Sequence, residues 1–84
     1  MSWQFDDRRE IYRLLKKITP AKRREWLDWC CTLVKDNGFT RTGVVASDNS
    51  VDAVFWDALS LRALFGVDLE TMGVRLEQMV RGRR

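Results

Sequence analysis

The sequence predicts an all-α fold, a small four-helix domain, and three observations predict it. Apolar residues recur at i, i+3, i+4 and i+7 in four separate stretches, the spacing of one helical face. Residues suited to starting or stopping a helix stand between those stretches. One segment alone, residues 37–50, lacks the helical period.

The first helix is expected over residues 6–18, where Ile11, Leu14, Leu15 and Ile18 keep the spacing. Asp6 or Asp7 would cap it, and Lys16-Lys17 would suit the negative end of its dipole. The second is expected over 20–36, with Thr19 as cap, Pro20 at the first helical position and Leu27, Cys30, Cys31 and Val34 on its apolar face. Asn37-Gly38 would stop it. Only Thr19-Pro20 separates these two helices, which predicts a tight hairpin or an angled corner. Residues 37–50, NGFTRTGVVASDNS, hold two glycines and a polar run and read as an irregular loop.

The third helix is expected over 51–65, capped by Asn49 or Ser50 and closed by Gly66. Val51, Val54, Phe55, Ala58, Leu61 and Phe65 lie along one side, and Trp56, Leu59 and Ala63 occupy others. A helix apolar nearly all round is expected at the centre of its domain. The fourth covers 69–81, with Asp68 as cap and Leu69, Met72, Leu76 and Met79 or Val80 facing inward, followed by a Gly82-Arg83-Arg84 tail. The expected arrangement is two hairpin-like pairs. Its core would comprise Ile11, Leu14, Leu15, Ile18, Leu27, Cys30, Val34, Val54, Phe55, Ala58, Leu61, Phe65, Met72 and Leu76. Trp26 and Trp56 are expected in the core, and Trp29 and Trp3 nearer the surface.

Eighty-four residues predict a single domain spanning 1–84. A chain of this length buries roughly 60–65% of its unfolded surface, so the core is small. Hydrophobic residues at 45% are enough to fill it, and four Trp and four Phe make the filling bulky. No apolar run reaches the length of a membrane span, and MSWQFDDRREIYR has no signal-peptide core, so the expectation is a cytoplasmic protein. Adjacent Cys30 and Cys31 point about 100° apart on a helix, which disfavours a disulfide between them. With no His they cannot complete a zinc site. They read as reduced, buried thiols.

Charge is unevenly distributed. Residues 1–35 hold nine basic and five acidic side chains, residues 36–70 two and six, and residues 71–84 four and one. The basic end contains an electrostatic conflict. A helix start carries partial positive charge and favours acidic residues, yet KKITPAKRRE sets Lys22, Arg23 and Arg24 in the first turn of the second helix, directly after Lys16 and Lys17. Arg9 and Arg13 extend the stripe along the first helix. These seven cations, converging with the amides of a helix start, suit a phosphate or a row of phosphates. They equally suit an acidic protein surface. The bland alternative is a solvated face with Arg24 paired to Asp28.

The segment LFGVDLETMGVRL, residues 64–76, resembles the turn of the helix-turn-helix DNA readers. Gly66, Val67, the capping Asp68 and Thr71-Met72 carry the resemblance over about 20 residues. It departs at Arg62, where a small residue belongs, and at Arg75, where an inward apolar one does. The resemblance implies a second nucleic-acid face made by Thr71, Val74, Arg75 and Gln78, with Arg81, Arg83 and Arg84 beside phosphates. The tryptophans beside arginines suggest either stacking platforms for unpaired bases or protein hot spots, against core packing as the ordinary use.

The acidic middle lacks the ligand spacing of a calcium loop, so no metal and no cofactor are expected. The sequence has no His, no glycine-rich phosphate loop and no nucleophile elbow, which argues against an enzyme. The leading expectation is a non-enzymatic nucleic-acid-binding protein, taking DNA or RNA. The alternatives are a protein-interaction module docking the basic corner on an acidic partner, and a self-assembling subunit, since a basic end and an acidic middle allow a homodimer.

Overall fold

The computed structural model describes residues 3–34 and 48–82, the side chains of 3–7 excepted. The described residues form four helices: α1 (Trp3–Leu15), α2 (Pro20–Cys31), α3 (Val51–Phe65) and α4 (Leu69–Arg81). The all-α expectation holds. Most of the expected loop, the Asn37-Gly38 stop, the Trp3 side chain and Arg83-Arg84 lie outside the described residues.

Three of the four expected helix starts are built as the sequence suggests. The Thr19 hydroxyl accepts from the Lys22 amide at 3.1 Å, Ser50 from Ala53 at 3.2 Å, and Asp68 from Thr71 at 3.1 Å. The start of α1 differs. The helix already runs at Trp3, so Asp6 and Asp7 lie inside it and neither is its cap.

Two helix ends come earlier than expected, and both pass into tighter i to i+3 turns. After Leu15 the chain tightens, with Lys16 N–H donating to Arg13 C=O and Lys17 N–H to Leu14 C=O. The residue before a proline is disfavoured in helical geometry, and Thr19 is extended at φ −76°, ψ 163°. After Cys31 the same i to i+3 pattern takes over through Thr32, Leu33 and Val34, and the Thr32 hydroxyl donates to the Trp29 carbonyl at 2.6 Å. Ile18 and Val34 stay buried on these tight turns, so the apolar spacing outlasts the α-helices themselves.

The expected hairpin-like pairs do not form. α1 packs chiefly on α4, and α2 on α3, with further contacts of α1 on α3 and α2 on α4. α1 with α2, and α3 with α4, pack little on each other. The buried residues of all four helices, with Ile18, Val34 and Val67, join in one core. Trp26 is wholly buried in it, and its indole N–H donates to the Met72 carbonyl of α4 at 2.9 Å.

Three aromatic placements differ from expectation. The buried stripe of α3 is Val54, Ala58 and Leu61. Phe55, about 100° round the helix from Val54, is half-buried, and Phe65 at the helix end is exposed. Trp56 lies about 200° round, opposite the core, and is 64% exposed. No helix among the described residues is long and apolar enough to cross a membrane.

Candidate functional site

Of the seven expected corner cations, the structure removes one from the surface. Arg23 is buried at 9% exposure. Its Nη1 donates to the carbonyls of Leu15 at 2.7 Å and Ile18 at 2.8 Å, and its Nε donates to the carbonyl of Asn49 at 2.7 Å. Arg23 therefore clamps the end of α1 to the residue before the α3 cap. Its Nε and Nη1 donors serve the fold and not a visiting anion.

The start of α2 is also a weaker anion donor than the sequence suggests. Pro20 has no amide proton, and the Lys22 amide is held by Thr19.

Five of the remaining six, Arg9, Arg13, Lys16, Lys17 and Lys22, line two grooves that share Lys16. Arg8, Arg9, Arg13 and Lys16 line a groove of about 370 Å³ with Tyr12 and Phe55. Lys16, Lys17 and Lys22 line an adjoining hollow of about 430 Å³ at the α1–α2 corner, with Ile18, Thr19 and Met79. Lys16 belongs to both. Among the described residues, neither lining includes an acidic side chain. Arg24 lies apart from both grooves, with Nε 3.5 Å from Asp28 as the bland alternative anticipates.

Local carboxylates restrain part of this face. Arg13 is paired to Glu10, Nε donating at 3.2 Å and Nη2 also in contact, and Lys22 is 3.3 Å from Glu25. All four side chains stay about half exposed, so these pairs are weak and exchangeable. Lys16 Nζ stands 5.0 Å from the centroid of the Tyr12 ring. The Tyr12 hydroxyl donates to Asp52 at 2.7 Å, and this bond holds the phenol above its usual pKa.

The face expected from the helix-turn-helix resemblance is brought together in part. Thr71, Val74, Arg75 and Gln78 line a groove of about 380 Å³, joined by Trp29 and Glu70. The Arg75 guanidinium lies 5.1 Å from the Trp29 ring centroid. Arg81 is elsewhere, paired to Glu77 at 2.9 Å. Arg62 and Arg75 are both exposed, and α3 and α4 pack on α2 and α1 in preference to each other. The groove carries both signs of charge, which suits phosphate less well than the α1 face does.

Sequence reasoning missed Arg8, Tyr12 and Phe55. Tyr12 shares the face of Arg8, Arg9 and Arg13 by helical spacing, which was a usable signal. Phe55 joins through a contact 43 residues away, with centroids 5.1 Å apart and rings nearly perpendicular. No local pattern could have announced it.

Elsewhere, burial, aided by the neighbouring Cys31, pushes the Cys30 thiol well above its ordinary pKa, which leaves it a poor nucleophile. No three potential metal ligands cluster among the described residues. Comparison with family models, with curated proteins and with solved structures finds no match for this chain.

Proposed function

We propose that this protein is a non-enzymatic nucleic-acid-binding protein, contacting phosphates through the outer face of α1 and the α1–α2 corner. One observation carries the reading. Among the described residues, two adjoining grooves that share Lys16 are lined by six basic side chains, Arg8, Arg9, Arg13, Lys16, Lys17 and Lys22, and by no acidic one. A row of cations along one groove neutralises a phosphate backbone and releases its counterions, independent of base sequence. Arg23 drops out of the contact set, and Arg8 enters it.

A second reading is favoured by a specific feature of the same face. Arg13 and Lys22 already hold carboxylates, Glu10 and Glu25, so the face can equally exchange these for the carboxylates of an acidic protein partner.

Fluorescence anisotropy of labelled DNA and RNA, titrated at low and moderate salt, tests the proposal. Binding that falls steeply with salt, and that is lost when Lys16, Lys17 and Lys22 are changed to Glu, supports it. No binding to any polymer at low salt sinks it and leaves the acidic partner as the reading to pursue.

A further inference from the structure

Phosphate contacts alone do not need aromatic side chains. Tyr12 and Phe55 nevertheless lie in the groove with Arg8, Arg9, Arg13 and Lys16. The row continues beyond the groove: the Trp56 ring is 6.1 Å from Phe55, inclined at 67°. Trp56 leaves 64% of its surface in water, although α3 offers the core an apolar side elsewhere. Tyr12, Phe55 and Trp56 thus form an aromatic row that spans α1 and α3 and runs out from the cationic groove.

We infer that the α1 face selects unpaired nucleic-acid strands over duplex, with Phe55 and Trp56 as stacking surfaces for bases whose phosphates meet Arg8, Arg9, Arg13 and Lys16. This rests on the phosphate-binding reading above and narrows it. In a duplex the base faces are stacked on their neighbours, and only phosphates and groove edges are displayed. In a single strand each base has a face to offer, and cations interleaved with aromatic rings can take backbone and bases together.

Positioning follows from the contacts. Lys16 sits against Tyr12, so a phosphate it holds places the attached nucleoside beside the Tyr12–Phe55 pair. The Tyr12–Asp52 hydrogen bond fixes the phenol ring, and the edge-on packing of Phe55 against both neighbours leaves the row stiff. A rigid platform loses little entropy when a base settles on it.

The test uses the full chain with labelled oligouridine, oligodeoxythymidine and a DNA duplex of matched length at equal salt. The variants are Trp56→Ala, Phe55→Leu and the Lys16/Lys17/Lys22→Glu triple. Single strands are expected to bind more tightly than duplex. Trp56→Ala is expected to weaken single-strand binding about tenfold, at the scale of one lost base stack, with the salt slope unchanged and the chain still folded. Binding of wild type should quench tryptophan emission more than binding of Trp56→Ala does. Phe55→Leu checks the same row at a position where apolar packing is kept.

Equal binding of duplex and single strands, unaffected by Trp56→Ala but abolished by the triple variant, overturns this inference and leaves phosphate binding standing. Absence of binding to every polymer overturns both. Tighter binding of an acidic polypeptide such as polyglutamate than of any single strand also overturns the inference and points to the protein-partner reading.

Discussion

The guanidinium of Arg23 donates to the carbonyl of Leu15 at 2.7 Å, and this bond resolves the Arg23 part of the electrostatic conflict in KKITPAKRRE. Leu15 is the last residue of α1, where carbonyls lack helical partners and carry partial negative charge. A cation that is misplaced at the start of α2 is thus well placed at the end of α1. Its other bonds, to the carbonyls of Ile18 and Asn49, extend the same logic across the corner to the approach of α3.

Replacing Arg23 by Met keeps the apolar stem and removes every donor. Three carbonyls then lose charge-assisted hydrogen bonds, two of them buried. The expected loss is about 3 kcal/mol, since such bonds contribute roughly 1.5–3 kcal/mol each and do not add fully. In a domain of this size that lowers the thermal midpoint by more than about 10 °C. Arg23→Lys should fall between, because one ammonium cannot span three carbonyls in the guanidinium's planar fork. A midpoint unchanged in Arg23→Met, measured by circular dichroism, would remove the clamp from the account.

Asp57 on α3 gives a pH prediction. Among the described residues its Oδ2 is buried without a hydrogen-bond partner. Burial pushes its carboxyl up to about 6, with Arg24 pulling the other way. The unfolded chain titrates this carboxyl near about 3.9. A folded value above the unfolded one means that the stability contributed here is fully present below about pH 4 and is lost as pH rises through about 6. Asp57→Asn removes that dependence. The variant is expected to melt above the wild type at pH 7, with the gap closing as pH falls from 6 to 4. Parallel midpoint curves for the two proteins would contradict the assignment.

Gly66 closes α3 in the left-handed region, at φ 74°, ψ 20°, and its amide donates to the Arg62 carbonyl at 2.9 Å. A Cβ placed there meets nothing within 4 Å, so the cost of a substitution is backbone strain alone. Gly66→Ala should destabilise by about 1 kcal/mol, or a midpoint drop of roughly 4–8 °C. Gly66→Asn should cost less, since Asn tolerates this region better. Equal melting of the two variants would show that conformation at residue 66 does not limit stability.

What was legible in the sequence was local. The caps at Thr19, Ser50 and Asp68 and the stop at Gly66 are written in residue type, because each acts on backbone groups within a few positions. The core stripes Ile11–Leu14–Leu15–Ile18 and Leu27–Cys30–Val34 were legible for the same reason, as burial follows helical period. Arg23 was not legible as a clamp. Its acceptors exist only because α1 ends at Leu15 and because Asn49, 26 residues on, is brought alongside. Trp56 was misread because a helix apolar all round does not declare which side its neighbours take. The hairpin-like pairing failed likewise: short connections set which helix ends are close, while the faces decide which helices pack.

The ion pair of Arg13 with Glu10 separates phosphate contacts from intramolecular ones. Lys17 is exposed in the corner hollow, so Lys17→Gln should weaken polymer binding, reduce the salt slope by about one and leave the midpoint unchanged. Glu10→Gln acts in the opposite direction. It frees Arg13 for a phosphate and removes a carboxylate from beside the groove, so binding should tighten while stability shifts by less than about 0.5 kcal/mol. Arg13→Gln in a Glu10→Gln background should cost more affinity than in wild type, because in wild type part of Arg13 is already committed to Glu10. Anisotropy titrations of the four proteins in that cycle measure the coupling directly. Weaker binding in Glu10→Gln would mean that the pair positions Arg13 for its ligand instead of competing for it.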